Sequence, residues 1–125
     1  EIDVGLWPFM ITVPLVRSMP PKKALELMAT GRRVGADEAQ RIGFVTRVVS
    51  RGQLDEAVDE LAVTLAAKPA GVMKLGRDAF YSVWDLPARA ALDHLQSMLT
   101  ITMMTDEATE GLRAFAEKRA PSWNS

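Results

Sequence analysis

Apolar residues recur at three- and four-residue spacing along most of the chain, the period of amphipathic helices. The clearest run covers residues 54–68, where Leu54, Ala57, Val58, Leu61, Ala62, Leu65 and Ala66 share one stripe. Asp55, Glu56, Asp59 and Glu60 load its first half with acid and Lys68 closes it, both matching the helix dipole, before Pro69 stops it. The spacing predicts a second helix over 70–83 and a third over 88–104, the latter with Asp85 as a cap and Pro87 in its first turn. Ala88, Ala91, Leu92, Leu95, Met98, Leu99 and Met103 form the stripe of this third helix, and Ile101 and Met104 fall outside it. A helix apolar on more than one face is one covered twice, by its own domain and by something else. A last helix is expected over 106–119, capped by Thr105 and acidic in its first turn, with Ala108, Leu112 and Phe115 as its buried line and Pro121 beyond it. Earlier, 22–30 reads as a short helix entered through Pro20 and Pro21 and ended by Gly31. A second, 36–42, is ended by Gly43 in the left-handed conformation that glycine tolerates. The β-branched run Phe44 to Val49 is the one convincing strand, with only Ile2 to Leu6 available to pair with it. A strand needs a ladder for its backbone groups, so its sheet is expected from a segment outside these residues.

Composition narrows the chemistry. The 125 residues, 48% hydrophobic and 25% charged, suit one soluble domain. Fifteen basic and sixteen acidic residues give a net charge of −1 with no long run of one sign. A nucleic-acid surface or polybasic membrane patch is therefore not expected. Cysteine is absent, which removes disulfides, thiolate catalysis and zinc–thiolate sites together. His94 is the only imidazole, so a multi-histidine metal site is excluded and any Ser-His-Asp triad would need it. On the third helix it reads as a satisfied structural histidine, and Met98, Met103 and Met104 read as core or interface filler. No apolar stretch reaches the ~20 residues of a membrane helix, and the location expected is the cytoplasm, with an organelle as the alternative. The chain opens on Glu1 rather than Met, so its natural start is expected to lie upstream.

Four stretches carry a family resemblance. The opening Glu1-Ile2-Asp3-Val4-Gly5-Leu6-Trp7-Pro8 resembles a Pro-Glu-Ile-x-x-Gly-Leu-x-Pro segment entered at its glutamate. A helix ending in Thr30-Gly31 is followed by Ala36-Asp37-Glu38-Ala39 and by Gly43-Phe44-Val45-Thr46-Arg47-Val48-Val49. Ala67-Lys68-Pro69 ends the next helix, and Glu110-Gly111-Leu112-Arg113-Ala114-Phe115-Ala116-Glu117-Lys118-Arg119-Ala120-Pro121 closes the series. In this order and spacing the chain resembles the C-terminal half of the crotonase superfamily, the enoyl-CoA hydratases and isomerases. The fold class implied is mainly α, the C-terminal helical part of a ClpP/crotonase-like α/β fold with one or two short strands. Residues 1–51 would be the edge of the core (short strand, two short helices, strand), and residues 52–125 a helical oligomerisation region.

The resemblance also implies a chemistry. Adding water to a conjugated thioester needs a polarised carbonyl, a carboxylate that takes a proton from water and an acid that delivers one to the α-carbon. Glu1 matches the second of the family's two catalytic glutamates. The first glutamate, both oxyanion amides and most coenzyme A contacts belong to the half that this chain lacks, so the chain alone is expected to be inactive. A free α-ammonium at Glu1 would pair with its carboxylate and weaken it as a base. Where hydratases have a Gly-rich turn after the proline, this chain has Phe9-Met10-Ile11-Thr12-Val13-Pro14, and bulk there would reshape the acyl site. Trp7 and Phe9 are either acyl-pocket lining or core. Phe115 and Lys118 match residues that, in the family, meet the adenine and the 3′-phosphate of coenzyme A from a neighbouring subunit. An aromatic face and a mobile point charge suit those two partners.

The reading is thus a piece of an acyl-CoA-processing enzyme like enoyl-CoA hydratase, with no cofactor beyond the thioester substrate and a homotrimeric or hexameric assembly. Two alternatives stand beside it: an isomerase that moves a Δ3 double bond to Δ2 with Glu1 alone, and a non-catalytic helical oligomerisation module.

Overall fold

The structure, a computed structural model, describes residues 1–124, and those residues form two units, one from Glu1 to Leu54 and one from Asp55 onward. Among the described residues there are seven α-helices and no strand. The first unit holds α1 (Phe9–Ser18), α2 (Pro21–Thr30) and α3 (Ala36–Arg41). Its start, Ile2–Val4, is a 3-10 turn closed by Gly5 in the left-handed region at φ 80°. Helix α2 begins with Pro21 in its first turn and ends at Gly31, φ 62°. Proline without an N–H suits the first turn, and glycine suits the left-handed exit. Gly43, φ 81°, follows α3 in the same way. The core of this unit is small: Pro8, Met19, Ala24, Met28 and Ala39 are buried.

Residues 44–49, expected as a strand, form none. Phe44 and Val45 instead donate their N–H groups back to the Ala39 carbonyl at 2.9 and 3.3 Å. Gln40 Nε2 donates to the Thr46 carbonyl at 3.3 Å. Ile2 to Leu6, the only partner available, is consumed by the 3-10 turn, and β-branched residues without a ladder do not make a strand. Helix α1 is the converse: a segment with no helical signature in the sequence winds ten residues around an internal Pro14. Thr12 Oγ1 and Ser18 Oγ each donate to the carbonyl four residues back, at 3.0 and 2.7 Å.

The second unit contains most of α4 (Leu54–Ala66), then α5 (Ala70–Ser82), α6 (Ala88–Met103) and α7 (Asp106–Ala116). Helices α5, α6 and α7 touch one another pairwise. Thr105 caps α7, its hydroxyl accepting from the Ala108 N–H at 3.1 Å. Pro87 rather than Asp85 holds the cap position of α6. The start of α5 is capped from far along the chain. Glu107 places one carboxylate oxygen 3.0 Å from the Gly71 N–H and the other 2.9 Å from the Val72 N–H. A β-carbon at Gly71 would collide with that carboxylate, so glycine leaves the carboxylate its seat on these amides.

Much of the apolar surface stays open. Among the described residues of the second unit only Ala79 and Ala114 are buried, and the line expected to be covered on α7 is not: Leu112 is 56% and Phe115 84% exposed. Leu92, Leu99 and Ile101 on α6 are exposed as well, as is Met104, the residue that ends it. Among the described residues no helix is long and apolar enough to cross a membrane.

Candidate functional site

Glu1 is placed by its own backbone. Its carbonyl accepts from the Val4 and Leu6 N–H groups, both at 3.1 Å, which closes the first turn beneath it. The turn is seated on the end of α2: a β-carbon built on Gly31 would stand 2.8 Å from Ile2 Cγ2. Between the turn, α1 and α2 lies a cavity of about 180 Å³ lined by Glu1, Ile2, Pro8, Ile11, Leu15, Leu27, Met28 and Gly31. Glu1 is the only ionisable side chain in that lining. One carboxylate at the wall of an apolar cavity can hold or release a proton beside a non-polar ligand, and by itself can do little else. Ile11 contributes to the wall. Trp7, half-buried, and Phe9, 75% exposed, stand outside it.

Phe115 and Lys118 lie in the second unit, on a hook made by the end of α7. Glu117 ends the helix, Lys118 turns left-handed at φ 54°, and the chain doubles back. The Lys118 N–H donates to the Phe115 carbonyl at 3.2 Å and the Arg119 N–H to the Ala114 carbonyl at 3.0 Å, the paired bonds of a Schellman ending. Glu110 locks the hook. Its carboxylate accepts from Arg119 Nη1 and Nη2 at 2.7 and 3.1 Å, from the Ser122 N–H at 2.9 Å and from Arg113. These donors, Arg119 first and then Arg113 and the Ser122 amide, hold the Glu110 carboxyl far below the usual carboxylate range. Gly111 leaves room for the Trp123 indole, 3.0 Å from where a β-carbon would stand. The sequence carries half of this: Glu110 and Arg113 are one turn apart, whereas the grip on Arg119 and Ser122 depends on the chain reversing at Lys118.

A second carboxylate–guanidinium group braces the first unit. Arg32 donates to Glu38 at 2.6 and 2.9 Å and to Glu26 at 3.0 and 3.3 Å, and so ties α2 to α3. Glu26 and Glu38 are both held below their ordinary range, Glu26 by Lys23 and Arg32, Glu38 by Arg32. His94 Nε2 lies 3.0 Å from Ser82 Oγ, whose own proton is directed to the Ala79 carbonyl at 2.9 Å. Among the described residues no group of three His, Asp or Glu is placed to hold a metal ion.

The chain is similar in sequence and backbone to known proteins. The chain is 32% identical over 123 residues to the mitochondrial enoyl-CoA hydratase domain-containing protein 3 of Rattus norvegicus, covering 98% of this chain and 41% of that protein. It is 35% identical over 114 residues to carnitinyl-CoA dehydratase of Escherichia coli K12, covering 87% and 43%. The crystal structure of enoyl-CoA hydratase from Mycobacterium smegmatis superposes with a TM-score of 0.96 at 34% identity, over 99% of this chain and 48% of that one. The chain thus spans less than half the length of these relatives. Since the family's sequence pattern matches all of residues 1–125, this chain belongs to the enoyl-CoA hydratase/isomerase family.

Proposed function

We propose that this chain supplies one half of an enzyme that adds water to 2-enoyl coenzyme A thioesters. In this reading Glu1 is one of two carboxylates that move protons. The observation that carries it is Glu1 held at the wall of the apolar cavity between α1 and α2 as its single ionisable group. Ile11, Leu15 and Leu27 offer an acyl chain the non-polar walls it needs, and Trp7 and Phe9 extend the acyl contacts beyond that cavity. Phe115 and Lys118 receive the nucleotide end of coenzyme A, in an assembly of three or six copies.

Hydration needs a second acid and two amides for the developing enolate oxygen, and a single lost oxyanion donor costs ~10²–10³ in rate. These 125 residues alone are therefore expected to leave the conjugated-thioester absorbance of an enoyl-CoA unchanged. The decisive experiment exchanges this chain for the matching half of the Mycobacterium smegmatis hydratase, a replacement supported by the close superposition. The chimera should hydrate a 2-enoyl-CoA, and Glu1→Gln within it should lower kcat by about 10²–10⁴. A Glu1→Gln chimera as active as its parent overturns the assignment. Offering a 3-enoyl-CoA to the same chimera tests the isomerase alternative, whose product is the conjugated thioester.

A further inference from the structure

Lys118 is in a conformation that its side chain disfavours. The left-handed conformation is one that a non-glycine residue disfavours, and the position that follows a helix in a Schellman ending is the one where glycine is most at home. Lys118 holds this position nonetheless, at φ 54°. Of the three cations on the hook, Arg113 and Arg119 are neutralised by Glu110, and Arg119 also by Glu117. Lys118 is exposed and forms no ion pair among the described residues. Three residues before it, Phe115 is 84% exposed, so an exposed aromatic ring and an exposed ammonium both belong to the end of α7. An anion carrying a flat ring is the ligand such a pair accepts.

We infer that Glu110 is a positioning residue for this pair: by gripping Arg119 and the Ser122 amide it folds the chain back and aims Lys118 at a phosphate. The inference rests on the proposed reading that Phe115 and Lys118 take the nucleotide end of coenzyme A. The 3′-phosphate is the chemical group concerned. Glu110 reaches it only through the backbone, since its own charge would repel the phosphate.

That opposition of sign makes the test sharp. Amide shifts of the 125-residue chain are followed while adenosine 3′,5′-bisphosphate or adenosine 5′-phosphate is added, and the ratio of the two affinities reports the 3′-phosphate alone. The unaltered chain should prefer the bisphosphate about tenfold, as one charged hydrogen bond implies, and Lys118→Met should abolish the preference. Glu110→Gln removes a negative charge, so field effects alone would strengthen phosphate binding. The inference expects the reverse, a preference reduced to about threefold or less. Glu110→Asp keeps the charge but is too short to hold both donors, and serves where the glutamine variant loses helix; the same fall is expected. A preference unchanged or raised in a folded Glu110 variant, with Lys118→Met still damaging, overturns the positioning role and leaves the nucleotide reading standing. A preference that survives Lys118→Met overturns both.

Discussion

Replacing Gly31 by alanine tests whether the turn that carries Glu1 is truly seated on α2. Two costs meet at this position. The left-handed conformation, φ 62°, costs an alanine about 1–2 kcal/mol. The new methyl would also stand 2.8 Å from Ile2 Cγ2 and 3.3 Å from Asp3 Oδ2, and must push the turn away. Overpacking of that kind costs about 1–3 kcal/mol. Gly5→Ala is the control, because Gly5 has φ 80° and open space around it. Both variants pay the left-handed term, and both gain alike from a stiffer unfolded chain, so their difference isolates the contact with Ile2. Urea titration followed by the helical signal should place Gly31→Ala about 1–3 kcal/mol below Gly5→Ala, with the same slope. In the chimera, Gly31→Ala should lower kcat more than Gly5→Ala, since it displaces Ile2 and with it Glu1. Equal midpoints for the two variants would refute the seating of the turn on Gly31.

The carboxylates held by arginine make stability sensitive to acid. Glu26, Glu38 and Glu110 all have folded values below their ordinary 4.5, so their contribution is complete above that pH and is lost as pH falls through the folded values. Thermal melts from about pH 5 down to pH 3 should show falling Tm, with a shallower slope in Glu110→Gln; a slope that does not change removes Glu110 from the account. Glu107→Ala should cost about 1–2 kcal/mol by uncapping α5, and faster hydrogen exchange at Gly71 and Val72 is the local check. Ile101→Asp or Met104→Asp should weaken self-association in light scattering while α4 keeps its helical signal, because both side chains are open in the single chain. A chain that is monomeric before the substitution, and binds no hydrophobic dye, defeats that expectation.

Helix existence was legible because apolar spacing, prolines and glycines agreed: Gly31, Gly43, Pro69 and Thr105 all stand where helices end or begin. Helix α1 was not, since Ile11, Val13, Val16 and the internal Pro14 argue locally against a helix. Packing against α2 and the hydroxyls of Thr12 and Ser18 sustain it. Over 44–49 local strand preference is clear, but a strand needs a ladder, and among the described residues nothing supplies one. Periodicity also identified the apolar stripes without saying whether anything covers them, and Leu112 and Phe115 prove open. At the site, Glu1 and Lys118 stand out in the sequence only by family pattern. The left-handed turn at Lys118 and the grip of Glu110 on Ser122 have no sequence signal, because lysine is not the residue that such a turn usually selects.

The cap that Glu107 places on α5 joins residues 36 apart in sequence, and this orders events in time. A ribosome adding ~5–20 residues per second completes Gly71 about 2–7 s before it completes Glu107. Throughout that interval the first amides of α5 face water, and the helix can only fray at its start. Closing the loop that brings Glu107 back also requires α6 to be in place, so the beginning of α5 is among the last parts of the second unit to set. A nascent or truncated chain ending before Glu107 would thus carry α5 without this cap, with Phe80 and Tyr81 at its far end and Trp84 just beyond it, the three rings that are exposed even in the full chain.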